Sequence, residues 1–406
     1  MQNVSTWPRA LLVCLLLVPS LPLAAAGAAP ALQQLARDYL AEHPAAQAAR
    51  ADLERALAEA RAVGQPLYNP EIELDYEDAT DVTKTIGFSQ TLDWAGKRRA
   101  RDTASQDSVR AAQAALAATR QQMLGELLTE LSSVVTNAEA ARLARRRVQL
   151  LDEFLQLAKQ RYAAGDVGQT DVDLAQLAVS EARMQAASIR ADAMASEARL
   201  ATLVPTPAGG WPALPPLPRA ITAFNADELL QQHPGLRQAQ AEAAAARASV
   251  DIARRDRRPD PTIGIRGGEE DDDTLLGVTV SIPLFVRNSF RAELDAANAE
   301  ATRAEQAYRR DLRRANGSLQ SAAQRYRLTR VALAYWEKTG KTSLQDRIEL
   351  LKRLWESGEI STTDYLVQLQ QTLDTRASAV ELQGAAWSAW IAWLTASGTT
   401  EHWLGL

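Results

Sequence analysis

The side chains in this sequence best placed to do chemistry are acids at regular positions. Asp171 and Asp364 each follow a glycine by six residues, Gly165 and Gly358. Glu71, Glu73, Asp75 and Glu77 alternate with Ile72, Leu74 and Tyr76. Glu269, Glu270, Asp271, Asp272 and Asp273 form an unbroken acidic run. Carboxylates gathered around a narrow water-filled path favour cations and repel anions. The plainer readings are equally physical. An aspartate soon after a turn is a good N-cap or first-turn residue, and an acidic run fits a solvated turn. No spacing supports a nucleophile–histidine–acid constellation, so no catalytic residue is expected. The histidines are His43, His233 and His402, and the one cysteine is Cys14. That set makes neither a disulfide framework nor a Cys/His metal site, and no cofactor is expected. The net charge of −5 argues against a nucleic-acid footprint.

These residues must be held by long elements. Aromatic residues make up only 5% of the chain and alanine is abundant, a composition suited to long helices. The N-terminus reads as an export signal, residues 1–26: Arg9, an apolar run from Ala10 to Leu23, then Ala24, Ala25 and Ala26 for cleavage. The run is too short to span a membrane. Cys14 lies inside it after Val13, which argues against a lipid anchor. No later stretch is apolar enough for a membrane helix.

The rest of the chain is duplicated at a spacing of about 190 residues. "YLAEHPAAQAARADLERALAEAR" parallels "LLQQHPGLRQAQAEAAAARASVD". "NPEIELDYE" parallels "DPTIGIRGG", and "TIGFSQTLDW" parallels "LLGVTVSIPLF". "RYAAGDVGQTDVDLAQLAVSEAR" parallels "LWESGEISTTDYLVQLQQTLDTR". The predicted repeats are 27–204 and 221–406, joined by a Pro-rich linker at 205–220. Each begins with a helix, roughly 31–66 and 225–258, ending at Pro66 and Pro259. Period-two alternation then predicts two strands, within 71–92 and 262–282, with an acidic turn from Glu269 to Asp273. A proline-free helix follows, Gly96 to Ala164 and Asn288 to Ser357. At ~1.5 Å per residue each reaches roughly 105 Å. Tight turns at Gly165–Thr170 and Gly358–Thr363 lead to return helices of about 33 residues. His43 and His233, each before a proline, read as structural. Trp387, Trp390 and Trp393 read as core or subunit packing. Trp94, ending a strand, suits a membrane-interface belt or a buried site.

Four short strands cannot close a barrel, and open edges are costly in lipid. If the hairpins are membrane-embedded, several chains must pool strands, with apolar residues outside and polar ones toward a wet lumen. A small soluble sheet capping a helical bundle is the other reading of the strands.

The blocks resemble the TolC-like outer-membrane efflux family over essentially the whole mature chain. The most specific pieces are the turns "RYAAGDVGQTDVDLAQ" and "LWESGEISTTDYLVQ". The block "NPEIELDYED…TIGFSQTLDWAGKRRAR", with Ser89, Gln90, Leu92, Gly96, Lys97 and Arg98, is more similar to the CzcC-like heavy-metal branch. The second repeat departs from it, with "SIPLFVRNSF" in place of "LDWAGKRR". The resemblance implies a mainly α fold with a small β part: an α-helical periplasmic barrel plus four strands of a trimeric twelve-stranded outer-membrane β-barrel. It implies an outer-membrane channel of a tripartite efflux system, carrying heavy-metal cations. Its partners would be two further copies, a periplasmic adaptor, an inner-membrane RND-type proton-driven pump, and outer-membrane lipid. Asp171 and Asp364 would face the constricted tunnel entrance. Gly165, Asp166, Val167, Gly168, Gln169 and Thr170, with Gly358, Glu359, Ile360, Ser361, Thr362 and Thr363, would meet the adaptor. Glu71, Glu73, Asp75 and Glu77 would line the barrel lumen. The same duct could serve drug efflux or type I protein secretion. A non-membrane periplasmic coiled-coil protein is the reading from a different class.

Overall fold

The computed structural model describes residues 30–78, 82–221, 223–271 and 273–406. The export signal with Cys14, and Asp272, lie outside the described residues.

The chain opens with α1 (Pro30–Glu42) and α2 (Pro44–Val63), then β1 (Glu71–Asp78) and β2 (Val82–Thr91). The long α3 (Lys97–Ala164) and its return helix α4 (Gln169–Leu203) complete the first unit. After the Pro-rich segment come α5 (Ala226–Gln232), α6 (Pro234–Asp256), β3 (Thr262–Glu270) and β4 (Asp273–Ser281). The second long helix, α7 (Arg291–Glu356), is followed by α8 (Thr362–Ser397) and the unexpected short α9 (Thr400–Leu404).

The single leading helix expected in each half is in fact two. The chain leaves helical geometry at His43 (φ −70°, ψ 132°) and at His233 (φ −63°, ψ 120°). Each precedes a proline, whose ring drives the preceding residue out of the α region. Proline then starts the next helix well, since its missing N–H needs no partner there. His43 adds a side-chain cap, its Nδ1 accepting from the Ala45 N–H at 3.2 Å.

The 68 residues of α3 span ~102 Å. No helix among the described residues is long and apolar enough to cross a membrane. Shorter helices flank the long ones end to end: α2 and α4 lie on α3, while α6 and α8 lie on α7. Helix α6 also packs on α3, which ties the two repeats together.

Bulky side chains concentrate at two levels. The first core gathers Leu124, Leu127, Leu128, Leu131, Tyr326 and Leu394 with Trp387, Trp390 and Trp393, all buried. The linker lies against it through Trp211, Leu214 and Leu217. Tyr326 meets Trp390 at 5.0 Å and Phe224 meets Trp393 at 4.6 Å between ring centroids. The tryptophan row is therefore core within one chain. The second core sits at the turn end of the long helices. It contains Phe154, Leu155, Val179, Trp355, Tyr365 and Leu369. Each such side chain contributes about 1.5–3 kcal/mol on full burial.

The strands form one antiparallel sheet in the order β1-β2-β3-β4. Pairing of β2 with β3 joins hairpins roughly 180 residues apart, with Phe88 opposite Ile265 and Gln90 opposite Ile263. Pairing runs further than the sequence suggested at the acidic turn. Glu269 and Glu270 close β3, Asp273 opens β4, and the reversal needs only the residues between. Asp271 takes the left-handed conformation (φ 50°) there, and its Oδ1 accepts from the Val82 N–H at 3.1 Å.

Candidate functional site

Two regions bring the sequence-predicted residues together: the sheet and the turn end of the long helices. In the sheet, residues directly opposite one another share a face. Ile72, Phe88, Ile265 and Val278 make one such row, and Leu74 with Ile86 begins the next. This apolar face is solvent-exposed in the single chain, with Leu276 89% accessible. The opposite face carries Glu71, Glu73, Asp75 and Glu77 from β1, then Thr83, Thr85 and Ser89, then Arg266 and Glu270, then Asp273. Six carboxylates there face one guanidinium. β1 and β4 are the outer strands of the sheet.

At the other end, both turns use the same device. Gly165 and Gly358 adopt φ values of 84° and 77°, open to glycine at no steric cost. The Gly165 N–H donates to Tyr162 O and the Asp166 N–H to Arg161 O. The equivalents are Gly358 to Trp355 O and Glu359 to Leu354 O. These crossed bonds satisfy the last carbonyls of each long helix.

Asp171 and Asp364 occupy the third position of α4 and α8. Asp171 Oδ2 accepts from the Gly168 N–H at 3.0 Å. Asp364 Oδ2 accepts from the Ser361 hydroxyl at 2.7 Å, and Ser361 Oγ accepts from the Asp364 N–H at 3.0 Å. Asp171 therefore closes the cap of α4, whereas Ser361 caps α8 and Asp364 orients that capping hydroxyl, each aspartate using one carboxylate oxygen. Asp364 is exposed and Asp171 half-buried.

The other turn residues divide. Asp166, Gly168, Gln169, Thr170, Glu359, Ser361 and Thr363 are exposed, as are the two glycines. Val167 and Ile360 are half-buried, and Ile360 packs on the tip core. Thr362 is a correction to the expected contact surface: it is 3% exposed, and its Oγ1 accepts from Trp355 Nε1 at 3.2 Å. Satisfying a buried indole N–H turns this hydroxyl inward. Beneath the turns, Phe154 of one repeat meets Trp355 and Tyr365 of the other, each at 4.6 Å. Arg161 donates to Trp355 O at 2.7 Å and lies 4.8 Å over its ring. Burial pushes the Tyr365 hydroxyl up to about 12.

A family model described as "Outer membrane efflux protein" matches twice, over residues 35–205 and 225–399. The chain belongs to the outer membrane efflux protein family. It is 24% identical over 316 residues to the cobalt-zinc-cadmium resistance protein CzcC of Cupriavidus metallidurans, covering 75% of each chain. It is 26% identical over 255 residues to the pyoverdine export outer membrane protein OpmQ of Pseudomonas aeruginosa, covering 57% of this chain and 52% of OpmQ. Its fold superposes on the outer-membrane channel OprN with a TM-score of 0.78 at 19% identity, over 91% and 90% of the two chains. The protein is an outer-membrane efflux channel with a long periplasmic helical part, and not an enzyme. That removes the non-membrane coiled-coil alternative.

In this efflux channel the sheet is fixed to the helices by residues that the sequence did not single out as a group. Asp93 accepts from the Lys97 and Arg98 N–H groups at 2.7 and 2.8 Å, capping α3. Lys97 Nζ reaches Asp260 Oδ2 at 3.0 Å, and the two side chains are 9% and 3% exposed. The Tyr68 hydroxyl donates to the same oxygen at 2.7 Å. Burial and that bond raise the Tyr68 pKa to about 12. Arg255 donates to Ala95 O at 2.8 Å. A Cβ on Gly96 (φ 67°) would fall 2.9 Å from Arg255 Nη1, so glycine is needed there. Lys97 and Gly96 stood in the "GKR" block, and Asp260 parallels Asn69 in the repeat. Their meeting across the halves had no sequence signal. Trp94 is 77% exposed, which excludes buried packing within the chain.

Proposed function

We propose that three copies of this chain close a twelve-stranded outer-membrane barrel by pairing β4 of one with β1 of the next, and that the duct carries heavy-metal cations. The observation that carries the barrel is the continuous exposed apolar face bounded by two outer strands. In lipid, each unpaired backbone group costs several kcal/mol, and closure is the remedy for a sheet. The antiparallel order makes β4 and the next β1 run oppositely, so the added pairs match the existing ones. Channels of this family are trimers that work with adaptor and pump. A periplasmic adaptor and an inner-membrane RND-type proton-driven pump are accordingly the proposed partners.

In that assembly the polar face becomes the lumen, lined by Glu71, Glu73, Asp75 and Glu77. Its excess of carboxylates raises the local cation concentration. Similarity to CzcC supports metal cargo. Asp171 and Asp364 are proposed at the constriction, where the hydrogen bonds to Gly168 N–H and to the Ser361 hydroxyl leave one oxygen of each for a cation. The exposed turn residues, without Thr362, are proposed to meet the adaptor. Similarity to OpmQ favours a second reading, in which the same duct exports a larger organic cargo.

The test is reversal potential across a planar bilayer under a KCl gradient. Wild type is expected to prefer cations. Glu73→Gln, Asp75→Asn and Glu77→Gln combined should lower the cation-to-anion permeability ratio severalfold, since they remove half of the six lumen-face carboxylates. An unchanged ratio would remove these side chains from the lumen. A deletion strain hypersensitive to zinc, cobalt or cadmium supports the metal cargo; sensitivity to organic compounds alone supports the second reading.

A further inference from the structure

The apolar face does not stop where the strands do. Along β4 the track Leu276, Val278, Val280 continues through Ile282, Leu284 and Val286, with Leu284 77% and Val286 86% exposed. Along β2 it continues through Leu92 to Trp94. β4 itself ends at Ser281, and residues 282–286 carry exposed apolar side chains beyond it in non-strand backbone, so the apolar residues reach past the strand ends toward the helices. The track ends at Trp94 and Val286 on the helix side of the sheet.

Arginines crowd the same level. The junction segments are stitched there by Arg98 donating to Gly64 O at 3.4 Å, Arg255 to Ala95 O at 2.8 Å and Arg257 to Ser289 O at 3.1 Å. Beside them Arg99, Arg258, Arg287 and Arg291 are exposed and make no salt bridge or side-chain hydrogen bond among the described residues. Among the nearby acids, Asp93 caps α3, Asp256 pairs with Arg101 at 3.5 Å and Asp260 pairs with Lys97, while Glu293 and Asp295 at the start of α7 are exposed; basic side chains still outnumber acids at this level. The opposite rim of the sheet is acidic, with Glu269, Glu270, Asp271 and Asp273. The sheet is therefore polarised along its strands, negative at the far rim and positive at the helix side.

We infer that this arginine level is a binding surface for anionic glycerophospholipid headgroups of the periplasmic leaflet. The inference rests on the proposed barrel. Trp94, Leu284 and Val286 reach the base of the acyl chains, and the free guanidiniums meet the phosphates just beyond. Guanidinium binds phosphate through paired N–H groups, and each surface cation adds to attraction for anionic lipid. The channel is thereby held at a fixed depth, and the junction is clamped by lipid from outside as it is by Lys97–Asp260 from within.

The test uses the full mature protein extracted in neutral detergent, with phosphatidylglycerol or phosphatidylcholine added in mixed micelles. Bound lipid is counted by native mass spectrometry. Phosphatidylglycerol should be retained over phosphatidylcholine, and less so as salt rises. Arg99→Gln, Arg258→Gln and Arg287→Gln combined should weaken phosphatidylglycerol retention roughly tenfold or more. The control, Arg313→Gln with Arg314→Gln on α7, should leave it unchanged. Equal retention by the triple variant, equal loss in the control, or preference for lipopolysaccharide would overturn the inference. Trimers on unboiled gels from outer-membrane fractions are scored in parallel. Their absence in wild type refutes the barrel itself, whereas intact trimers with unaltered lipid binding refute only the arginine surface.

Discussion

Replacing Lys97 by methionine should destabilise the channel at the joint between sheet and helices. Methionine keeps most of the side-chain volume and removes the charge. Asp260, 3% exposed at its side chain, would keep the Tyr68 hydroxyl as its one partner, because Oδ1 already has none. Removing one member of a buried pair costs about 3–5 kcal/mol, since the other charge stays buried. At ~2.1 cal/mol/K of unfolding entropy per residue, a 406-residue chain shifts by roughly 1 °C per kcal/mol, so the thermal midpoint should fall by roughly 3–6 °C. The second arm is Lys97→Met with Asp260→Asn. The amide can still accept from Tyr68, and no charge is left, so the loss should shrink to about 1–2 kcal/mol. The measurement is near-UV circular dichroism of detergent-solubilised protein at one fixed scan rate, since unfolding of such assemblies is commonly irreversible. A double variant less impaired than Lys97→Met alone is the decisive sign of coupling. If Lys97→Met costs under 1 kcal/mol, or if the two changes simply add, the buried pair does not hold the joint.

Other perturbations test the turns and the bend. Gly165→Ala and Gly358→Ala place a Cβ at positive φ with no atom within 4 Å, so strain alone should cost about 1 kcal/mol each; faster proteolytic nicking at the tip reads this, and unchanged nicking would contradict it. His233 is held below its ordinary value of 6.5 by burial, against a weaker upward pull from its contact with Thr395 O. Its share of stability is complete above 6.5 and is lost as pH falls from there through the folded value, because the unfolded chain binds the proton first. His233→Asn should therefore flatten the fall in thermal midpoint between neutral pH and pH 5, and a profile parallel to wild type would assign the acid sensitivity elsewhere.

Periodicity was enough to read the strands. Ile72, Leu74 and Tyr76 against Glu71, Glu73 and Asp75 define two faces whatever the strand pairs with. Glycine followed six residues later by aspartate marked both helix reversals, because those backbone conformations are locally determined. His43-Pro44 and His233-Pro234 also carried their structural role openly, though continuing alanine-rich periodicity hid the break they cause. What sequence could not determine depends on which distant segments meet. Asp260 is unremarkable beside Pro261 until β2 pairs with β3 and delivers it to Lys97 and Tyr68. Thr362 looked like one more exposed turn residue until Trp355 folded over it. Asp171 and Asp364 carried two roles in the sequence; the structure makes Asp171 part of a cap and gives the cap of α8 to Ser361, with Asp364 holding its hydroxyl. Local backbone preference and side-chain alternation are written residue by residue, so the sequence alone yields them. Burial and ion pairing across the two repeats arise only when the long helices bring the repeats side by side.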